Sequence, residues 1–205
     1  MQQLKRSEAT LSNREAVNII NSTKSFRDRS IIKCLYYLGL RVSEVASLEV
    51  GDIDFSRKVV HIKRSKFGKT RTVPFIDNNF LTDLRQLSNS MRSTDLLFPV
   101  KRRMIQHIVM KAGETANITH PFTEAKHISP HLFRHSIARH LKSSGYPAEF
   151  IQKFLGHSSI KTTMDTYGTL SLGEMQSIIA NKTGDSQLLG ETKQHVAEIE
   201  YKGEL

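Results

Sequence analysis

The sequence holds one cysteine and no tryptophan. A single thiol excludes an intramolecular disulfide scaffold, and a Cys-rich zinc module with it. Cys34 lies in the apolar stretch Ile31-Ile32-Lys33-Cys34-Leu35-Tyr36-Tyr37-Leu38. It reads as a core thiol in a reducing compartment, not as a nucleophile. No apolar run approaches the ~20 residues of a membrane-spanning helix. The opening residues, Met-Gln-Gln-Leu-Lys-Arg-Ser, lack an apolar signal core. A soluble, cytoplasmic protein without a membrane partner is expected. Internal repeats and low-complexity segments are also missing.

Positive charge is abundant. The 205 residues carry 30 Lys and Arg against 20 Asp and Glu, a net +10. Residues 185–205 hold five carboxylates and two lysines, so the first 184 residues carry +13. A basic body with an acidic tail points to a polyanion partner. With 38% hydrophobic residues the chain has enough apolar material for one core.

The pattern is mostly helical. Ser12 and Glu15 form a capping-box signature, and the helix they open is expected to bury Val17, Ile20 and Ile19. A second helix is expected over 27–38, ended by Gly39, and a third over 42–48. Lys58–Lys63 and Thr70–Pro74 then alternate as an antiparallel strand pair with its turn near Phe67-Gly68. That pair is rich in cations: Lys58, Lys63, Arg64, Lys66, Lys69 and Arg71. Helices are expected again over 79–91 and 101–113, then a polar connector over 114–129. Ser129-Pro130 starts a helix that runs to Gly145, and Pro147 starts one that Gly156 ends. Short helices over 162–167 and 172–180 complete an α+β chain, mainly α-helical with a small antiparallel β-sheet.

Three segments carry chemistry. In His131-Leu132-Phe133-Arg134-His135, the residues His131, Arg134 and His135 share one helix face at i, i+3 and i+4, opposite a buried stripe of Phe133, Ile137 and Leu141. On its own this also fits a solvated basic face. In Gly39-Leu40-Arg41-Val42-Ser43-Glu44, Arg41 opens a helix, where a cation opposes the helix dipole. That placement makes sense if Arg41 binds an anion jointly with the helix end while Glu44 orients its guanidinium. In Leu155-Gly156-His157-Ser158, His157 lies in the sharp turn that Gly156 makes, ten residues before Tyr167.

Taken together, these segments resemble the catalytic domain of the tyrosine recombinase (phage integrase) family over about residues 10–180. The resemblance rests on an ordered set: the Gly-Leu-Arg-x-Ser-Glu segment, a hairpin lysine, a His-x-x-Arg-His box, a Leu-Gly-His-Ser box and a tyrosine. It implies the tyrosine recombinase catalytic-domain fold and assigns the catalytic set to Arg41, Lys66, His131, Arg134, His157 and Tyr167, with Lys69 as the alternative to Lys66. It implies residues 1–184 as the catalytic domain, 185–205 as an acidic tail, and no N-terminal core-binding domain.

The activity so implied is DNA cutting and rejoining through a covalent 3′-phosphotyrosine. Tyr167 would attack the phosphorus. Arg41 and Arg134 would clamp the non-bridging oxygens, and His157 would donate to the same phosphate. His131 would act as general base and Lys66 as general acid. These cations neutralise the developing charge, so no metal and no cofactor are expected. The partners implied are double-stranded DNA in the nucleoid and further copies of the chain, a tetramer on DNA. The apolar face of 172–180 suits docking either on a neighbouring protomer or on its own domain. A type IB topoisomerase-like enzyme and a non-catalytic DNA-binding fragment remain alternative readings.

Overall fold

A computed structural model describes residues 9–63, 70–121, 127–156 and 172–183. Lys66, Lys69, His157, Tyr167 and the helix expected over 162–167 lie outside the described residues. Among the described residues there are eight α-helices and one three-stranded sheet: α1 (Asn13–Ser22), α2 (Phe26–Tyr37), α3 (Val42–Val45), β1 (Ile53–Asp54), β2 (Val59–Ile62), β3 (Arg71–Pro74), α4 (Asn78–Ser88), α5 (Arg102–Thr115), α6 (Pro130–Ser143), α7 (Ala148–Leu155) and α8 (Leu172–Thr183). The mainly helical α+β architecture expected from the sequence is the one found.

Helix α2 is the centre of the molecule. Every residue from Ser30 to Tyr37 is buried, and α1, α3, α4, α5 and α6 all pack on it. A helix covered on all sides has no polar face, and the one charge inside its buried run, Lys33, is paired with Asp83 of α4 at 2.8 Å. Cys34 is wholly buried there, and burial pushes its thiol pKa far above the ordinary value. It is a core residue, as the sequence suggests.

The capping box of α1 is present: the Ser12 hydroxyl accepts from the Glu15 amide at 3.2 Å, and the Glu15 carboxylate accepts from the Ser12 amide at 2.7 Å. The inner face differs from expectation, because Ala16 takes the buried position with Ile19 and Ile20 while Val17 is only half-buried. Just before the cap, Ala9 and Leu11 are buried. The Leu11 amide donates to the Ser136 hydroxyl at 2.8 Å, tying this stretch to α6.

The sheet has one strand more than the sequence suggests. β1 pairs antiparallel with β2, and β2 with β3, in the order β1-β2-β3 with Val60 opposite Val73. Two residues are too few to show an alternating pattern, so β1 is invisible to periodicity. β2 begins one residue later than expected, because Lys58 turns the chain with φ +54°. Helix α3 is a single turn instead of the expected two. After it the chain enters a 3-10 turn over Val50–Asp52 and an isolated bridge between Glu49 and Leu96.

Helix α6 buries Leu132, Phe133, Ile137 and Leu141; each such side chain contributes roughly 1.5–3 kcal/mol. Helix α8 packs against β3 of its own chain through the buried Met175 and Ile179. The docking of this segment on its own domain is the arrangement found. None of the described helices is long and apolar enough to cross a membrane.

Candidate active site

Two glycines in the left-handed region set the site. Gly39, at φ +58°, ends α2, and Gly156, at φ +64°, ends α7. The two turns touch: a Cβ on Gly39 would come within 2.6 Å of Leu155 Cδ2. Only glycine allows both the backbone angle and this approach. The N-terminal half of α6 packs on the same point, and Arg134 projects into it.

Arg134 is buried at 7% exposure. Its guanidinium donates from Nη1 to the Gly39 carbonyl and from Nη2 to the Leu155 carbonyl. These bonds fix the fork between the ends of two helices that are far apart in sequence. The solvated basic face that the sequence allows is therefore absent. His131 and His135 are exposed, but Arg134 between them turns inward.

Arg41 caps α3 in extended conformation. The Glu44 carboxylate accepts from the Arg41 amide at 2.7 Å and from Arg41 Nη1 at 2.9 Å. Glu44 orients this guanidinium as its spacing suggests. Arg41 Nη2 also reaches the Gly156 carbonyl at 3.4 Å, so Arg41 and Arg134 meet at the end of α7. Helix α3 is too short to supply a useful dipole. The anion-attracting element is the guanidinium cluster, not the helix end.

A third arginine joins the cluster, and sequence reasoning counted it only as one cation of a basic hairpin. Arg71, at the start of β3, grips Glu44 with both ends of its fork, at 2.7 and 2.9 Å. Its Nε donates to the Phe154 carbonyl at 3.2 Å. No sequence pattern marks it, since its partners lie 27 and 83 residues away.

The electrostatics follow from the count. Among the described residues, Arg41 and Arg71 hold the Glu44 carboxylate and Arg134 lies within its field, so two positive charges are in excess. Burial alone would raise the Glu44 pKa; hydrogen bonds and charge from Arg71, then Arg41, outweigh it and hold the pKa below the ordinary value. Arg134 is pushed down to about 9, by burial first and then by repulsion from Arg41 and Arg71. It stays a cation at neutral pH, but one that the fold holds at a cost. His135 is lowered by burial, then by His131 and Arg134.

Arg41 and His131 line the same open groove of about 1070 Å³. Its other wall is basic too, formed by Lys101, Arg102 and Arg103 at the start of α5, with Leu96, Pro99 and Val100 at its base. The arrangement is suited to hold an oxyanion: the Arg41 fork shares the groove with His131, Lys101, Arg102 and Arg103, while Arg134 is held on the Gly39 and Leu155 carbonyls and does not line it. Among the described residues no group of three His, Cys, Asp or Glu side chains is placed to hold a metal ion.

Comparison with known proteins places the chain in a family and a fold. The model of the Phage integrase family matches residues 9–172. Over 163 residues the chain is 29% identical to tyrosine recombinase XerA of Pyrococcus horikoshii, covering 75% of this chain and 54% of that protein. Among solved structures, a XerA recombinase superposes with a TM-score of 0.65 at 27% identity, covering 84% of this chain and 64% of that one. The XerH recombinase bound to its difH substrate shares the fold, with a TM-score of 0.61 at 20% identity over 86% of this chain and 51% of that one. The chain spans about half the length of the curated relatives it matches.

Proposed function

Because the chain belongs to the phage integrase family, we propose that it carries the catalytic centre of a site-specific DNA recombinase. The observation that carries this reading is the cluster of Arg41, Arg71 and Arg134 around the single carboxylate of Glu44, opening through Arg41 onto a cationic groove. Residues 1–184 form the catalytic domain and 185–205 an acidic tail.

The substrate is a DNA phosphodiester. Arg41 and Arg134 hold its two non-bridging oxygens, with a further bond from His157. The Tyr167 oxygen attacks phosphorus; the new P–O bond forms as the bond to the 5′-oxygen breaks. His131 takes the tyrosine proton, and Lys66, or Lys69 in its place, gives a proton to the leaving oxygen. The product is a 3′-phosphotyrosine and a free 5′-hydroxyl, and attack by a 5′-hydroxyl from either duplex reverses the step. Charge on the transition state rises at the oxygens the arginines face, so their bonds strengthen there. Several observations support recombination over supercoil relaxation alone, above all the match to proteins named tyrosine recombinases. Four copies on paired duplexes would supply the strands, in the cytoplasm where the DNA lies.

The test is a nicked duplex whose cleaved fragment diffuses away, trapping the covalent intermediate. Incubation in excess EDTA should still give a protein–DNA adduct on a denaturing gel, since the cations that stabilise the charge are side chains. Absence of adduct, or adduct only when magnesium is restored, would sink the reading.

A further inference from the structure

The Arg71 side chain is only 8% exposed, and it does not line the groove. Both ends of its fork and its Nε are engaged, on the Glu44 carboxylate and on the Phe154 carbonyl. We propose that Arg71 is a positioning residue for the Arg41 end of the phosphate clamp; this rests on the recombinase reading above.

Three observations carry it. First, Glu44 Oε1 is shared between Arg71 Nη1 at 2.7 Å and Arg41 Nη1 at 2.9 Å. Arg71 thus fixes the plane of the carboxylate that aims Arg41. A fork on both oxygens sets orientation as well as distance, which a lysine cannot do. Second, Arg71 shares the carboxylate's charge. With Arg71 present, Glu44 cannot neutralise Arg41, and the cluster keeps its excess charge for an anion. Without it, Glu44 forms a matched pair with Arg41 and competes with the phosphate for that guanidinium. Third, the turn after α7 is shaped around this side chain. Arg71 Nε bonds the Phe154 carbonyl, and a Cβ on Gly156 would lie 2.6 Å from Arg71 Cδ. Arg71 so ties β3, α3 and the end of α7 into one register. Burying a paired guanidinium is weak evidence of a stabilising role, since apolar substitutes are often as stable.

The experiment compares Arg71→Met, Arg71→Lys, Arg41→Lys and the Arg71→Met/Arg41→Lys double variant. Each is measured for duplex affinity, melting temperature and single-turnover cleavage of the nicked duplex at saturating protein. Arg71→Met should leave affinity within about threefold and slow cleavage about 100-fold, the scale of losing one transition-state donor. Arg71→Lys should recover about tenfold of that loss. In the double variant the loss should stay near that of Arg41→Lys alone, because Arg71 acts through Arg41. A purely structural role would lower melting temperature and give losses that multiply. Wild-type cleavage by Arg71→Met overturns the proposal, and so do multiplying losses. Should Arg71→Met fail to fold, Arg71→Lys decides: unchanged melting with slowed cleavage supports the role, and wild-type cleavage overturns it. Absence of cleavage by the unsubstituted chain would instead refute the recombinase reading itself.

Discussion

A Tyr167→Phe chain should form no covalent adduct on a nicked duplex, while binding that duplex as the unsubstituted chain does. The substitution removes one oxygen and nothing else, so any loss belongs to the hydroxyl. The effect should be complete, because no other tyrosine is placed to replace it among the described residues. Tyr36, Tyr37 and Tyr146 are all buried. Tyr146 lies against Phe150 with ring centroids 4.7 Å apart, and burial raises its hydroxyl pKa. A nucleophile must present its oxygen to the phosphate, and burial keeps these three from doing so. Gel separation of adduct from free DNA checks this. An adduct that persists in Tyr167→Phe would move the nucleophile elsewhere.

The second large effect concerns Arg134. Arg134→Met should slow cleavage by roughly 10³-fold or more, since the proposed phosphate clamp loses one of its two guanidiniums. Its effect on stability should be small, for two opposing reasons. Two buried carbonyls, those of Gly39 and Leu155, lose their donor, at roughly 1–3 kcal/mol each. Against that, burial first, and then the charges of Arg41 and Arg71, push the Arg134 pKa down to about 9. A cation whose pKa is pushed down in the fold is held there at a cost in stability. The cost is fully present at pH 7, below both the folded and the ordinary value, and the substitution removes it. The two contributions oppose each other, so unfolding free energy should change far less than the cleavage rate does. Urea unfolding followed by circular dichroism, beside single-turnover cleavage, separates the two. Near-normal cleavage by Arg134→Met would remove it from the clamp.

An arginine that the fold holds at a cost is what a functional site looks like in stability terms. It also marks where sequence reasoning reached its limit. Helix ends were legible because their signals are local: Ser12 with Glu15, Pro130, and the glycines at 39 and 156. The Arg41–Glu44 pair was legible for the same reason, three residues apart on one turn. The inward turn of Arg134 was not, since its acceptors lie 95 and 21 residues away on other elements. Nor was the place of Arg71, which depends on β3 packing against α7. The strand β1 was hidden by its length. Val17 and Ala16 exchanged roles because a larger apolar side chain at a helix margin looks more core-like than a small one at its centre.

The central claim is that Arg41 and Arg134 act by neutralising the charge of the scissile phosphate. The most direct measurement replaces that phosphate with a methylphosphonate, which carries one non-bridging oxygen fewer and no charge. Arg41→Met is the variant of choice, because Arg41 is the more exposed of the two. Its cleavage of the ordinary duplex should be slowed strongly, and its cleavage of the methylphosphonate duplex should approach that of the unsubstituted chain on the same duplex. An equal defect on both duplexes would contradict the account, because Arg41 would then be doing something other than balancing phosphate charge.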